Sequence, residues 1–367
     1  MRLLKLTICL LLSVVLFCPA VYAMDLSAEA AVAIDGATGK VLCEKNAYTR
    51  LGMASTTKIM TLIIALERGN PEDIVTVDKR AEGVEGSSLY LRGGDKLSLR
   101  NLLFGMMLRS GNDAATAVAL HFSPTVEEFA SLMTEKAKEL GLKDTCFKNP
   151  HGLHEEGHYT TAYDLAQITR YGFTLDGFAE IVASEKFVID ENIETKLVTN
   201  NNKLLYLYAG ADGVKTGYTP ETGRTLVGSA TRDGMRVICV TLNDGDDWND
   251  HINMFNYSFE HFKSFILTRK DQGFGCAPVK KGQDAEVPLL AQEELSCLVD
   301  SDSTVKATVT TNTEITAPLK KGDVLGKVVF SNEDGVLAET NLIAGCDVEK
   351  EKKLGVFWRI IKWITRK

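Results

Sequence analysis

Two periods of apolar residues divide this chain before any single residue is considered. The run AEAAVAID-GATG-KVLCEKN, ending at Asn46, alternates apolar and polar positions on both sides of a glycine-containing turn, which predicts a hairpin. A helical period starts at Ser55, with Ile59, Leu62, Ile63 and Leu66 on one stripe, and stops at Gly69-Asn70-Pro71. LSLRNLLFGMML predicts a second helix, interrupted at Ser110-Gly111-Asn112 and resumed in DAATAVALHF. TVEEFASLMTEKAKELG predicts another, ended by Gly141. GVKTGYT, RTLVGSATR and MRVICVTL read as strands, the last two joined by a tight Asp233-Gly234 turn, and WNDHINMFNYSFEHFKSF reads as a helix. Strands from both ends of this region with helices between them imply an α+β fold around one antiparallel sheet.

From about Lys270 the pattern changes. AEVPLL, ELSCLV, TVKATVT and KVVF are short runs between turns with no helical period, which predicts a small all-β domain. The tail KKLGVFWRIIKWITRK differs again. Arg359, Lys362 and Arg366 share one helical face, while Leu354, Phe357, Trp358, Ile361 and Ile364 cover the other. Its apolar core is far shorter than the ~20 residues that span a bilayer. A basic amphipathic helix with two tryptophans suits the membrane interface. At the other end, Arg2 and Lys5 precede the apolar run LTICLLLSVVLFC and then PAVYA, a signal peptide cleaved after Ala23. The expected layout is therefore 1–23 signal peptide, 24–268 main domain, 269–348 all-β domain and 349–367 membrane-anchor helix. The protein is expected to be exported and held peripherally on the outer face of the cell membrane.

Composition narrows the chemistry. The chain has 367 residues, 45% hydrophobic and 25% charged, with a formal net charge of −8. Residues 1–23 carry two cations and no acid, so their removal leaves −10. That balance excludes a nucleic-acid binder, which needs a basic surface. Of eight cysteines, Cys9 and Cys18 lie in the leader. The other six contain no CxxC, so zinc and redox spacings are absent, and most are expected to be small buried hydrophobes.

Ser55-Thr56-Thr57-Lys58 is an SxxK at a helix start, where positions i and i+3 share a face. A serine hydroxyl needs a base to become a nucleophile, and lysine serves only when neutral. Burial, a second cation and the positive end of a helix dipole all favour the neutral amine. Ser55 is also placed to cap its helix. Ser303-Thr304-Val305-Lys306 repeats the spacing in an alternating β run, where the two side chains would point to opposite faces. In Ser110-Gly111-Asn112 the serine can pass a proton and the asparagine can bind a peptide group. Lys215-Thr216-Gly217 supplies a cation, a hydroxyl and a glycine that admits close backbone approach. His154-Glu155-Glu156-Gly157-His158 spells HExxH, but Pro150, Gly152 and Gly157 break the helix that a zinc protease site requires.

SxxK, SxN and KTG in that order form a known signature of penicillin-interacting serine enzymes. With them, IDGATGKVLCEKNAYTRLGMASTTKIMT, LSLRNLLFGMMLRSGNDAATAVA, FKNPHGL, HYTTAYDLA and DGVKTGYT make the chain resemble the serine-type D-alanyl-D-alanine carboxypeptidases, the low-molecular-mass penicillin-binding proteins. The likeness covers nearly the whole chain, including the β domain and amphipathic tail. It implies a β-lactamase/transpeptidase-like domain and a D-alanine-releasing reaction on peptidoglycan stem peptides, with β-lactams acylating the same serine. No cofactor or metal is implied. By the resemblance, Ser55 is nucleophile, Lys58 general base and Ser110 proton relay. Asn112 orients the peptide, Lys215, Thr216 and Gly217 contact substrate, and the N–H of Ser55 and of Tyr218 hold the oxyanion. Some relatives carry an arginine in the segment that here reads LNDGDDWNDH, which is acidic and has none, so the grip on the substrate carboxylate falls to Lys215 and Thr216. The alternatives are an endopeptidase or transpeptidase on the same scaffold, a β-lactamase, which would need an ExxLN motif that is absent, an HExxH metalloprotease, and a non-catalytic wall-binding module.

Overall fold

The structure, a computed structural model, describes residues 24–191, 193–333 and 335–351. The expected signal peptide and amphipathic tail lie outside the described residues. The chain forms two compact units that part between Ser258 and Phe259.

The first unit is built on a five-stranded antiparallel sheet of β1 (Ala30–Asp35), β2 (Val41–Lys45), β7 (Ala211–Thr219), β8 (Gly223–Arg232) and β9 (Met235–Leu242), in the order β2-β1-β9-β8-β7. Register Ala30↔Leu242 to Asp35↔Val237 joins the two ends of the unit. Asp233 and Gly234 both take positive φ, 48° and 81°, the geometry of a two-residue hairpin turn that matches strand twist. β9 is almost wholly buried because both faces of the sheet are covered. One face meets α1 (Lys58–Arg68) and α5 (Ala162–Gly172). The other meets α8 (Asp247–His261), whose His251 and Phe255 press on Gly228 so closely that a Cβ there would lie 2.7 Å from the imidazole.

The remaining helices are α2 (Leu99–Leu108), α3 (Asn112–Phe122), α4 (Val126–Glu139), α6 (Phe178–Ala183) and the single turn α7 (Leu204–Leu207). Ser98, Thr125 and Thr161 cap α2, α4 and α5 by accepting from backbone N–H groups two or three residues inside each helix. The hairpins β3 (Ile74–Thr76) with β4 (Lys96–Ser98) and β5 (Lys186–Glu191) with β6 (Ile193–Thr199) had no counterpart in the sequence reading. β3 and β4, at three residues each, are too short to show a period, whereas β5 and β6, with six and seven residues, were missed. α5 was missed as well, although Thr161 precedes Leu165, Ile168, Thr169 and Gly172 at helical spacing.

The second unit is all-β. β10 (Phe262–Thr268) pairs with β13 (Leu295–Asp300), and β11 (Gly273–Pro278), β12 (Glu286–Ala291), β16 (Gly335–Ala344), β15 (Val324–Asn332) and β14 (Lys306–Thr311) form a five-stranded sheet in that order. Val287, Leu289, Val328, Phe330 and Leu342 form its core. β10 therefore belongs with the β unit, although FKSF reads from sequence as the end of the preceding helix; its partner strand lies thirty residues on and only the fold reveals it. Cys43, Cys239 and Cys297 are buried, Cys146 is half-buried, and Cys276 and Cys346 are exposed thiols, so burial accounts for half of the six.

Candidate active site

Ser55 lies in a 3₁₀ turn, Ala54–Thr57, that runs into α1 at Lys58. Its hydroxyl caps neither segment, which corrects the expectation of a helix-capping serine: the backbone tightens before the helix proper, and the side chain is left for other partners. Lys58 is fully buried in the first turn of α1. Its Nζ has three oxygen neighbours, Ser55 Oγ at 2.9 Å, Asn112 Oδ1 at 2.7 Å and the His151 carbonyl at 2.7 Å.

That geometry admits a neutral amine as well as an ammonium donating to all three oxygens. The carbonyls of Asn112 and His151 only accept hydrogen bonds, so two N–H groups of the amine point at them. The asparagine orientation is fixed independently, because its Nδ2 donates to the Glu85 carbonyl at 2.6 Å. A neutral amine then has its lone pair left for the third direction, toward the Ser55 hydroxyl. Electrostatics favour the neutral form. Burial first, and the Lys215 ammonium second, hold Lys58 well below the ordinary lysine range, against a weaker pull from Asp113. Lys215 is also buried, donates to the Thr216 carbonyl at 2.9 Å, and is pushed down to about 7 by burial.

Two loops hold this arrangement. Asn149–Leu153 packs on the turn around Ser55, and a Cβ on Gly152, at φ +87°, would lie 1.8 Å from the Ala54 carbonyl oxygen. Thr61 Oγ1 donates to the Pro150 carbonyl at 2.7 Å, which sets His151 O above Lys58. The neighbouring HExxH is no metal site. His154 is exposed and His158 buried, and His158 Nδ1 accepts from Lys148 N at 3.0 Å, so its Nε2 donates to Thr57 Oγ1 at 2.8 Å. No cluster of three or more potential metal ligands occurs among the described residues. The second loop, Glu85–Leu91, was not anticipated. Buried Asp113 accepts from Leu89 N, Leu91 N and Ser88 Oγ, and Asn112 N donates to the Ser87 carbonyl.

A cleft of about 550 Å³ opens along β7, the outermost strand of its sheet. Ser55, Ser110, Thr216, Gly217 and Tyr218 line it, whereas Lys58 and Lys215 lie behind the wall. Ser110 takes φ +63° in the break between α2 and α3 and is 5% exposed. Gly217 passes against the nucleophile turn, and a Cβ there would lie 2.9 Å from the Ser55 backbone nitrogen. All eight residues singled out from sequence thus gather at one place. Ser87, Asn201, Lys203, Arg224, Asp247 and Trp248 line the same cleft and were missed. The acidic segment after β9 does lack arginine, but β8 delivers Arg224 beside it, where it bonds Asp247 Oδ1 at 2.5 Å. The second SxxK lies elsewhere: Ser303 sits in a turn, its N–H on the Asp300 carbonyl, and Lys306 opens an exposed strand, so only one of the pair is in the β run expected.

Comparison with known proteins agrees with this picture. Residues 19–246 match the D-alanyl-D-alanine carboxypeptidase family and residues 262–350 match the penicillin-binding protein 5 C-terminal domain. The chain is 36% identical over 335 residues to the D-alanyl-D-alanine carboxypeptidase DacF of Bacillus subtilis, covering 88% of this chain and 86% of that protein. It is 33% identical to DacC of Escherichia coli, covering 94% and 92%. Penicillin-binding protein 5 from Haemophilus influenzae superposes with a TM-score of 0.74 at 29% identity, over 90% of this chain and all of that one.

Proposed function

The chain belongs to the D-alanyl-D-alanine carboxypeptidase family of serine peptidases, and from that premise we propose how its residues share the reaction. The enzyme releases the terminal D-alanine of a peptidoglycan stem peptide through a serine acyl-enzyme, and penicillin acylates it. It acts outside the cytoplasm, where that substrate is.

Ser55 Oγ attacks the carbonyl between the two D-alanines while its proton passes to Lys58 Nζ. The N–H groups of Ser55 and Tyr218 take the negative charge that develops on the carbonyl oxygen. Each such donor is worth about a hundredfold or more in rate. As the C–N bond breaks, Lys58 returns the proton to the leaving amine through Ser110. Water, deprotonated by Lys58, then cleaves the ester. Asn112 orients both Lys58 and the peptide, whose backbone runs along the outer edge of β7 beside Thr216 and Gly217. Lys215 keeps Lys58 neutral and takes part in the relay. The observation that carries this reading is the three-oxygen environment of Lys58 Nζ.

Intact-mass measurement with a D-Ala-D-Ala pentapeptide and with penicillin tests it. Loss of one D-alanine with water, and a stable penicillin adduct, are expected; rapid penicillin turnover would make the protein a β-lactamase, and no adduct on either would end the catalytic reading. Transfer to an added amine would show the transpeptidase branch. We also propose that residues 1–23 direct export and that 352–367 attach the enzyme to the outer face of the membrane. No helix among the described residues is long and apolar enough to cross a bilayer. Removal of 352–367 should release the mature protein from membranes, and unchanged association would refute the anchor.

A further inference from the structure

A carboxypeptidase must recognise a free terminal carboxylate, and Lys215 is badly placed to do so. It is 1% exposed, spends a donor on the Thr216 carbonyl, and lies behind the cleft wall. We propose that Lys203 and Arg224, acting with Thr216, are the residues that grip the substrate carboxylate. This rests on the carboxypeptidase reading above and names its specificity site.

The sheet places the three together. Val214, Thr216 and Tyr218 share one face of β7, and their partners on β8 are Gly228, Leu226 and Arg224. Arg224 is thus a diagonal neighbour of Thr216, within reach of a long side chain. From the other direction, Leu204 packs on the Gly228 position, level with Val214, and carries Lys203 in beside it. Thr216 therefore lies between a cation entering from the Val214 end and one entering from the Tyr218 end, and all three line the cleft that holds Ser55.

The two cations differ in kind. The Arg224 side chain is 44% exposed, donates from one terminal nitrogen to the nearly buried Asp247, and lies over the Trp248 ring at 5.9 Å from its centroid. Asp247 fixes the guanidinium plane and leaves its other N–H groups for an oxyanion, the fork geometry that suits a carboxylate. It also offsets the charge of Arg224. Lys203 is exposed and has no ion pair among the described residues, so it supplies the net positive charge that Arg224 alone would not. A fork for direction and a free ammonium for attraction make one carboxylate site.

The test compares the mature protein on an N-acylated peptide ending in D-Ala-D-Ala and on the same peptide as its C-terminal amide. The wild type should favour the acid by about a hundredfold or more, since groups arranged for a carboxylate are left unpaired by the amide. Arg224→Gln and Lys203→Gln should each raise KM for the acid by about tenfold, leave turnover of the amide within about twofold, and together bring the two substrates close to parity. Arg224→Lys should restore part of the preference. Unchanged acid kinetics in the double variant, or an equal loss on both substrates with an unaltered thermal midpoint, would overturn the proposal. A wild type that releases no D-alanine from the acid would instead sink the carboxypeptidase reading itself.

Discussion

Gly217 and Ser55 are in backbone contact: a Cβ added to Gly217 would lie 2.9 Å from the Ser55 nitrogen and 2.4 Å from Thr225 Oγ1. The strand that presents the substrate and the turn that presents the nucleophile are held apart by a hydrogen atom. Gly217→Ala must push the Ser55 N–H away from the position the oxyanion will take. The expected result is a loss of about a hundredfold in the second-order rate of penicillin acylation, read by stopped-flow or gel labelling. Acylation within threefold of wild type would remove the Ser55 N–H from the oxyanion site.

Ser55→Ala should abolish both D-alanine release and covalent penicillin labelling, because Ser55 Oγ is the hydroxyl hydrogen-bonded to Lys58 Nζ. Ser303→Ala should change neither, since Ser303 lies in a turn of the β unit. Retained labelling of the Ser55 variant would defeat the assignment.

Lys215 acts on Lys58 by charge, so its removal has a signed effect on pH dependence. Lys58 must be neutral to work, and activity therefore grows as pH rises through its pKa. Lys215→Met keeps the bulk and deletes the cation, which lets the Lys58 pKa rise. The acid limb of the acylation profile should move to higher pH, by at least half a unit or so given the coupling expected of nearby buried charges. A uniform drop in rate with an unmoved limb would show that Lys215 serves only the relay.

His158 gives the fold its own acid sensitivity. Burial depresses its pKa from 6.5 to about 4, with the His154 and Lys148 charges adding to the effect. The folded state therefore holds the neutral ring more strongly than the unfolded chain does. Stability is complete above pH 6.5 and falls as pH drops through about 4, by at most about 3 kcal/mol. The denaturant midpoint followed between pH 7 and 4 should show the decline, and His158→Gln should flatten it. An equal slope in the variant would assign the effect to other groups, of which half-buried His151, lowered to about 3, is the first to check.

What could be read from the sequence was the chemistry that lies close together along the chain. Ser55 and Lys58 are one helical turn apart, and Lys215, Thr216, Gly217 and Tyr218 are consecutive, so their local structure already implies their relative placement. The hairpin at Asp233-Gly234 was legible for the same reason. Arg224, Asp247 and Lys203 were not, because β8, α8 and the turn before α7 meet only when the sheet forms, and none of the three belongs to a local motif. Asp113 is an intermediate case. An acidic residue in the first turn of a helix reads as a favourable dipole partner, whereas its role in pinning Ser88, Leu89 and Leu91 depends on a loop more than twenty residues away.

The cleft lies along β7, and an outermost strand with open backbone groups invites a second copy of the protein as readily as a substrate. Proteins usually blunt such edges with proline, a bulge or an inward charge, but any of these between Lys215 and Tyr218 would close the site. The walls at Glu85–Leu91 and around Lys203 do that job instead. Ser87 of that loop, with Asn201 and Lys203, lines the cleft into which the edge of β7 opens. Substitutions that loosen the hold of Asp113 on its loop would therefore trade substrate selection for self-association, and a rise in light scattering would accompany the loss of turnover.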